Sequence, residues 1–99
     1  KMPVDKRTTQ PFGLLHGGAS VAFSETLGSF GSGLICKENG KKVVGIEINA
    51  NHIKSITKGY VYGKAIPVHV GRRIHVWETR ISDKNENLIS ISRLTVAVL

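Results

Sequence analysis

The sequence is poor in cysteine, aromatic residues and acids, and it has no long apolar run. Its 99 residues include one cysteine, Cys36, which excludes an intrachain disulfide and suits a reducing, cytoplasmic setting. We recognise no signal peptide pattern and no apolar run long enough to span a bilayer. With 6% aromatic residues and no known reading motif, the chain is not expected to bind nucleic acid.

Positive charge is what the chain has in excess. Lysine and arginine number 14 against 7 acidic residues, which gives a formal net charge of +7. This excess favours an anionic partner, whether nucleic acid, a phosphate-bearing cofactor or a membrane surface, and a plain solvated surface also fits it. The four histidines have no ligand-like spacing, so we predict no metal site.

The length limits the organisation of the chain. Ninety-nine residues are enough for one domain with a real core and too few for two, so we treat residues 1–99 as a single domain. Lys1–Asp5 looks like the end of a strand. We expect further residues before it, including the rest of that strand.

One long helix is predicted near the start. A turn containing His16, Gly17 and Gly18 leads into a helix from about Gly18 to about Glu38, where a glycine follows as the usual helix stop. The apolar residues of this helix form one stripe: Phe23, Leu27, Phe30 and Leu34. The opposite face carries small residues around a single charge, Glu25: Gly18, Gly28, Ser29, Ser32 and Cys36. We predict that the sheet covers the apolar stripe and that something else, such as a second subunit, covers the face with Glu25.

The rest of the chain alternates as strands do. We predict strands over Val43–Asn49, Gly59–Val70, Arg73–Ser82 and Leu88–Val98. An irregular connection covers Ala50–Thr57, and Pro67 implies an edge, a bulge or an interruption in its strand. The fold class is therefore α+β, with one long central helix wrapped by a curled antiparallel sheet.

Four stretches carry a resemblance to a known family. They are Met2–Ser20, Glu25–Ser29, Val44–His52 and Ser92–Leu99. They resemble the hotdog-fold acyl-CoA thioesterases, most closely the branch of 1,4-dihydroxy-2-naphthoyl-CoA hydrolase and related aryl-CoA thioesterases. The family normally has a helix and most of its first strand before the point where this sequence starts.

The resemblance implies an activity and an assembly. The activity is hydrolysis of an acyl-CoA, with an aromatic acyl group, to the free acid and CoA, and no cofactor is needed beyond the CoA of the substrate. The assembly is a dimer with one continuous sheet and active sites at its interface, usually paired into a homotetramer. Menaquinone biosynthesis, degradation of aromatic compounds and proofreading of misloaded carrier proteins all fit this activity.

The resemblance also implies the catalytic residues. Glu25 corresponds to the helix carboxylate that attacks the thioester or activates water, whereas a purely structural glutamate would be satisfied by backbone donors. Gly17 offers a helix N-terminal amide to the developing oxyanion, although a simple turn glycine also fits. Gln10 hydrogen-bonds the thioester carbonyl or the water, and His16 shapes the loop and supports the carbonyl site rather than acting as a base. For both residues, a hydrogen bond that only anchors the loop also fits. Ser29, one turn after Glu25, orients the water or simply permits close packing.

Two further segments are expected to bind the substrate. Asn51 and His52 correspond to positions near the pantetheine and acyl groups. His69, Gly71, Arg72 and Arg73 belong to a turn whose amides and guanidinium groups suit the CoA phosphates, although a basic hairpin tip in solvent fits nearly as well. We expect His75, which alternates onto a strand face, to be structural.

Two other functions remain open from the sequence. A hotdog dehydratase or hydratase shares the fold but uses a different arrangement of histidine and aspartate. A non-catalytic module that binds acyl-CoA or nucleic acid would account for the net charge of +7.

Overall fold

A helix lies across one face of a five-stranded antiparallel sheet. The structure is a computed structural model and describes all 99 residues. Its elements are β1 (Met2–Val4), α1 (Gly17–Cys36), one turn of 3-10 helix (Lys37–Asn39), β2 (Val43–His52), β3 (Gly59–Val70), β4 (Ile74–Ser82) and β5 (Leu88–Val98). The strand order is β1-β3-β4-β5-β2, and α1 packs against β2 to β5. This arrangement confirms the predicted helix wrapped by an antiparallel sheet, and neither helix combines the length and apolar character that crossing a membrane requires.

The strands agree with the alternation in the sequence except at one end of β2. The bounds of β3 and β5 are those predicted. The prediction of an irregular connection from Ala50 was wrong at its start, because Ala50, Asn51 and His52 pair with β5. Cross-strand hydrogen bonds therefore outweigh the polar composition of these residues.

Both edges of the sheet contain a β-bulge. In β3, the register with its inner neighbour β4 shifts between Pro67 and His69, so Pro67 lies at a bulge as predicted. Strand β1 pairs with Gly59–Val61 of β3. On the opposite edge, β2 has a bulge between Gly45 and Glu47.

The face of α1 that contacts the sheet is not the predicted one. The stripe prediction was wrong for its second half, since the side chain of Phe30 is 67% exposed and that of Leu34 is 58% exposed. The buried residues of the helix are instead the small ones: Ser20, Ser24, Gly28, Ser32 and Cys36.

The large side chains of this interface come from the sheet. A methyl group built on Gly28 would lie 2.6 Å from Leu94 Cδ2, and one built on Gly31 would lie 2.5 Å from Trp77 Cη2. Small helix residues are therefore needed for the backbone to come close to Trp77 and Leu94. Of the apolar stripe, only Phe23 and Leu27 reach the sheet, where they cover Gly63 of β3.

A buried hydrogen-bond network links α1 to β4. Ser32 Oγ accepts from Trp77 Nε1 at 2.8 Å and lies 2.8 Å from His75 Nδ1. His75 is 2% exposed, so its role is structural as predicted. Because Ser32 satisfies two buried side chains, it fixes the helix in register with the sheet.

Candidate active site

The start of α1 borders a cavity of about 260 Å³ that contains two predicted site residues and a predicted substrate contact. Gln10, Gly17 and His52 line it together with Lys54 and apolar side chains. A methyl group on Gly17 would lie 2.8 Å from His52 Nε2, so the imidazole rests directly on the glycine. The structure therefore brings Gln10, Gly17 and His52 together.

The first amide of the helix is free. His16 is the N-cap, and its Nδ1 accepts from the Gly18 amide at 2.8 Å. Because Nδ1 is an acceptor, the ring proton lies on Nε2. The Gly17 amide has no hydrogen-bond partner in the chain. An unpaired amide at the positive end of a helix is suited to stabilise an oxyanion.

The carboxamide of Gln10 has a defined orientation. Gln10 Oε1 accepts from the Phe12 amide, and the Gln10 amide donates to the Leu14 carbonyl at 2.8 Å. The side-chain oxygen is therefore used inside the loop, and the NH₂ group remains as a free donor. A donor at this position suits a carbonyl oxygen better than it suits a water that must be deprotonated.

Glu25 lies on the flank of the helix, beside the edge strand β2. It is half-buried, and no hydrogen bond or ion pair involves its carboxylate. Its Oε2 points at Gly45, where an added methyl group would lie only 2.7 Å away. Backbone donors that would mark Glu25 as a structural residue are therefore absent.

A shallow depression adjoins this carboxylate. It has a volume of about 570 Å³ and is lined by Glu25, Thr26, Ser29, Phe30, Gly33 and Leu34. The structure thus places Ser29 beside Glu25, as the helical spacing predicts. The exposed Phe30 and Leu34 give the depression an apolar floor that can accept an apolar group.

The third group of predicted residues lies at the other end of α1. The ring of His69 covers Gly71, since a methyl group there would lie 2.6 Å from His69 Nε2. Gly71 and Arg72 line a cavity of about 240 Å³ with Lys41 and His75, and the Arg73 carbonyl accepts from the Val98 amide at 2.8 Å. The basic turn is formed as predicted, but it lies away from the other two groups.

Within one chain, the predicted residues therefore occupy three separate places. Gly17 and Glu25 are eight positions apart on α1, which is about 12 Å along a helix. Asn51 is exposed and follows the pleat to the sheet face opposite His52, outside the cavity. Nowhere do three or more His, Cys, Asp or Glu side chains form a group that could hold a metal ion.

Sequence reasoning missed three features of these sites. Gly45 contacts the carboxylate of Glu25, and only the fold shows that these two residues lie together. Phe30 and Leu34 border the depression, although their apolar character had suggested that the sheet would bury them. Phe12, whose amide donates to Gln10 Oε1, is 87% exposed, and an aromatic residue between the turn markers Pro11 and Gly13 was the available signal in the sequence.

Known proteins similar to this chain include a named thioester hydrolase and solved structures with the same fold. The 1,4-dihydroxy-2-naphthoyl-CoA hydrolase of Escherichia coli is 54% identical over 98 residues, which cover 99% of this chain and 71% of that protein. The crystal structure of a thioesterase from Haemophilus influenzae superposes with a TM-score of 0.94 at 51% identity, over 99% of this chain and 68% of that one.

A third relative, from Staphylococcus aureus, has been solved as two alanine variants. One variant replaces a glutamate; it is 44% identical to this chain and superposes with a TM-score of 0.95, over 99% of this chain and 81% of that one. The other variant, called a thioesterase, replaces a glutamine; it is 43% identical and superposes with a TM-score of 0.93, over 98% of this chain and 80% of that one. The two replaced residues are fifteen positions apart, the same separation as between Gln10 and Glu25.

The fold and these relatives together define a hotdog-fold thioester hydrolase. Residues 12–90 match the thioesterase superfamily, which covers more than half of the chain. The protein belongs to the thioesterase superfamily, and the resemblance found in the sequence is confirmed.

Proposed function

We propose that this protein hydrolyses an aromatic acyl-CoA to the free acid and CoA, with Glu25 as the reacting carboxylate. The observation that carries the proposal is the state of that carboxylate, which is half-buried and unpaired beside an apolar depression. An unpaired, partly desolvated carboxylate is costly to keep for structural reasons alone. It is also well suited to take a proton from water or to attack a carbonyl carbon.

The chemical steps follow from the free groups. As a base, Glu25 takes a proton from water while the water oxygen bonds to the thioester carbon. As a nucleophile, it bonds to that carbon itself, and water then cleaves the anhydride. In both routes the carbon–sulfur bond breaks, and the CoA sulfur leaves and gains a proton. The carbonyl oxygen carries negative charge in between, and the Gly17 amide and the Gln10 NH₂ group stabilise it.

A second copy of the chain brings these groups together. Strand β2 is a sheet edge, with Val44 46% exposed and Ile46 57% exposed. Antiparallel pairing of two β2 edges about an axis near Ile48 places Gly45 of one copy opposite His52 of the other. Glu25 rests on Gly45 and Gly17 rests on His52, so the carboxylate of one copy meets the free amide of its partner. We propose this dimer, and its further pairing into a tetramer that covers the exposed face of α1.

The acyl group and the CoA then have separate places. The apolar side chains of Phe30 and Leu34 beside Glu25 suit an aromatic acyl group. We assign the pantetheine to the region of Asn51 and His52. The turn of His69, Gly71, Arg72 and Arg73 holds the CoA phosphates through charge-assisted hydrogen bonds.

Two findings on relatives support this assignment. The Escherichia coli relative is named for a naphthoyl-CoA substrate, which favours a bicyclic aromatic acyl group and a place in menaquinone biosynthesis. The two alanine variants of the Staphylococcus aureus relative replace a glutamine and a glutamate at the spacing of Gln10 and Glu25.

The test is a thiol-release assay on a panel of aryl- and alkyl-acyl-CoAs. Glu25→Gln should lower kcat by about 100- to 10,000-fold, the usual contribution of a positioned acid–base group. Glu38→Gln, the same change just beyond the helix, is the matched control and should keep wild-type kcat. Size-exclusion chromatography with light scattering checks that the assembly is unchanged.

Three outcomes contradict the proposal. Hydrolysis that survives Glu25→Gln would place the chemistry on another residue. Faster turnover of alkyl than of aryl substrates would contradict the assignment of the acyl group. Hydration of crotonyl-CoA, without thiol release from any substrate, would support the hydratase alternative instead.

A further inference from the structure

Gly45 of β2 lies directly against the carboxylate of Glu25. We propose that Gly45 is a positioning residue, whose lack of a side chain lets the carboxylate of Glu25 occupy the space that a side chain would fill. The inference rests on the proposed function of Glu25 and adds a residue that acts through it. It also explains what holds a carboxylate that has no hydrogen-bond partner.

The contact itself is the first argument. A methyl group on Gly45 would lie 2.7 Å from Glu25 Oε2 and 3.5 Å from its Cδ. The next nearest atom, Leu94 Cδ1, would be 3.5 Å away, which is an ordinary van der Waals distance. The only atom in conflict with a side chain at this position is therefore a carboxylate oxygen. Since no salt bridge orients that carboxylate, its position depends on this gap.

The backbone gives the second argument. Gly45 lies at the bulge of β2, and some bulges need a glycine with positive φ. Positive φ occurs at Gly13, Gly40 and Gly59, and Gly45 is not among them. Any residue could adopt its conformation, and a β-branched residue would suit the strand better. Backbone geometry therefore does not require glycine here, whereas the carboxylate does.

The test is a double-mutant cycle with Gly45→Ala and Glu25→Asp. Gly45→Ala should leave the melting temperature unchanged, because the flexible end of Glu25 can move aside. It should lower kcat by about 100-fold, the usual effect of a 1 Å displacement of a reacting group, with KM unchanged. In the Glu25→Asp background the carboxylate is withdrawn by one bond of about 1.5 Å, so adding Gly45→Ala should change kcat little.

Gly63→Ala is the matched control. Gly63 is also a strand glycine under α1, but its added methyl group would meet Leu27 Cδ1 at 2.6 Å rather than a carboxylate. This variant should keep wild-type kcat even if its melting temperature falls.

Each other outcome overturns the inference. Equal losses of kcat in the Glu25 and Glu25→Asp backgrounds would mean that Gly45→Ala acts through the strand and not through the carboxylate. Wild-type kcat in Gly45→Ala would mean that the contact does not position Glu25. Loss of the native fold in Gly45→Ala would also contradict it, because the argument assigns the only tight contact to a flexible side chain. Failure of the proposed function itself looks different, since Glu25→Gln would then retain activity.

Discussion

The buried hydroxyl groups between α1 and the sheet differ in how many hydrogen bonds they make. Ser32 bonds to two side chains, whereas four other buried hydroxyls have no hydrogen-bond partner within the chain: Ser24, Thr79, Ser90 and Ser92. A buried hydroxyl without a partner costs free energy, and loss of a hydroxyl that serves two partners costs more. Equal burial of serines on the same helix face therefore does not mean equal contributions to stability.

This difference predicts opposite results for two identical substitutions. Ser32→Ala leaves Trp77 Nε1 without its acceptor and His75 without its partner, so the free energy of unfolding should fall by about 1–3 kcal/mol. Ser24→Ala removes a hydroxyl that has no partner, so stability should stay the same or rise. Urea denaturation at fixed protein concentration measures both, and a larger loss for Ser24→Ala would contradict the bonding described here.

At the scale of the element, α1 shows what sequence patterns can and cannot predict. Its start and end were predicted to within a few residues, because the glycine turn marks where the helix begins and Gly40 follows its end. Its buried face was predicted wrongly, because the rule assumes that a helix supplies its own large side chains to the core. Here Trp77 and Leu94 of the sheet supply them. The strands were easier to predict, because alternation of apolar and polar residues with a period of two indicates directly which side chains share a face of the sheet.

Two glycines of α1 provide the corresponding test. In Gly31→Ala the new methyl group would lie 2.5 Å from the rigid ring of Trp77. This variant should lose about 1–3 kcal/mol of stability, as overpacked cores do. A methyl group on Gly33 meets nothing within 4 Å. Gly33→Ala should therefore gain up to about 1 kcal/mol from helix propensity. Thermal denaturation of both variants measures this difference in stability, and similar melting temperatures would contradict the close packing on Trp77.

At the scale of the whole molecule, the candidate site residues lie in separate places. The sequence proposed Gln10, Gly17 and His52, which line one cavity, and Ser29, which lies next to Glu25. It could not show that these two groups lie apart in one chain. That separation depends on the path of α1 along β2, and no local pattern encodes the path.

The proposed pairing of β2 edges predicts a difference between the two bulges. Ile46 and Val68 are each the extra residue of a bulge on a sheet edge, and they are 57% and 55% exposed. Ile46→Lys places a charge on the strand edge that the proposed dimer would pair, so it should give monomers and lower kcat by about 100-fold or more. Val68→Lys, on the other edge, should retain both the dimer and the activity. Light scattering and thiol release measure the two effects, and a Val68→Lys monomer would argue for assembly through β3.

The interrupted edge of β3 also limits how many chains can join. A sheet with two good edges can add copies at both sides, and such head-to-tail addition continues into a filament. Along β3, Pro67 offers no amide hydrogen to a neighbouring strand, and β1 occupies Gly59–Val61. In the proposed dimer each copy uses its β2 edge, so neither copy has a second edge of that kind to offer. We therefore expect growth of the shared sheet to stop at two chains, with a proline far from the proposed reacting groups acting against polymerisation.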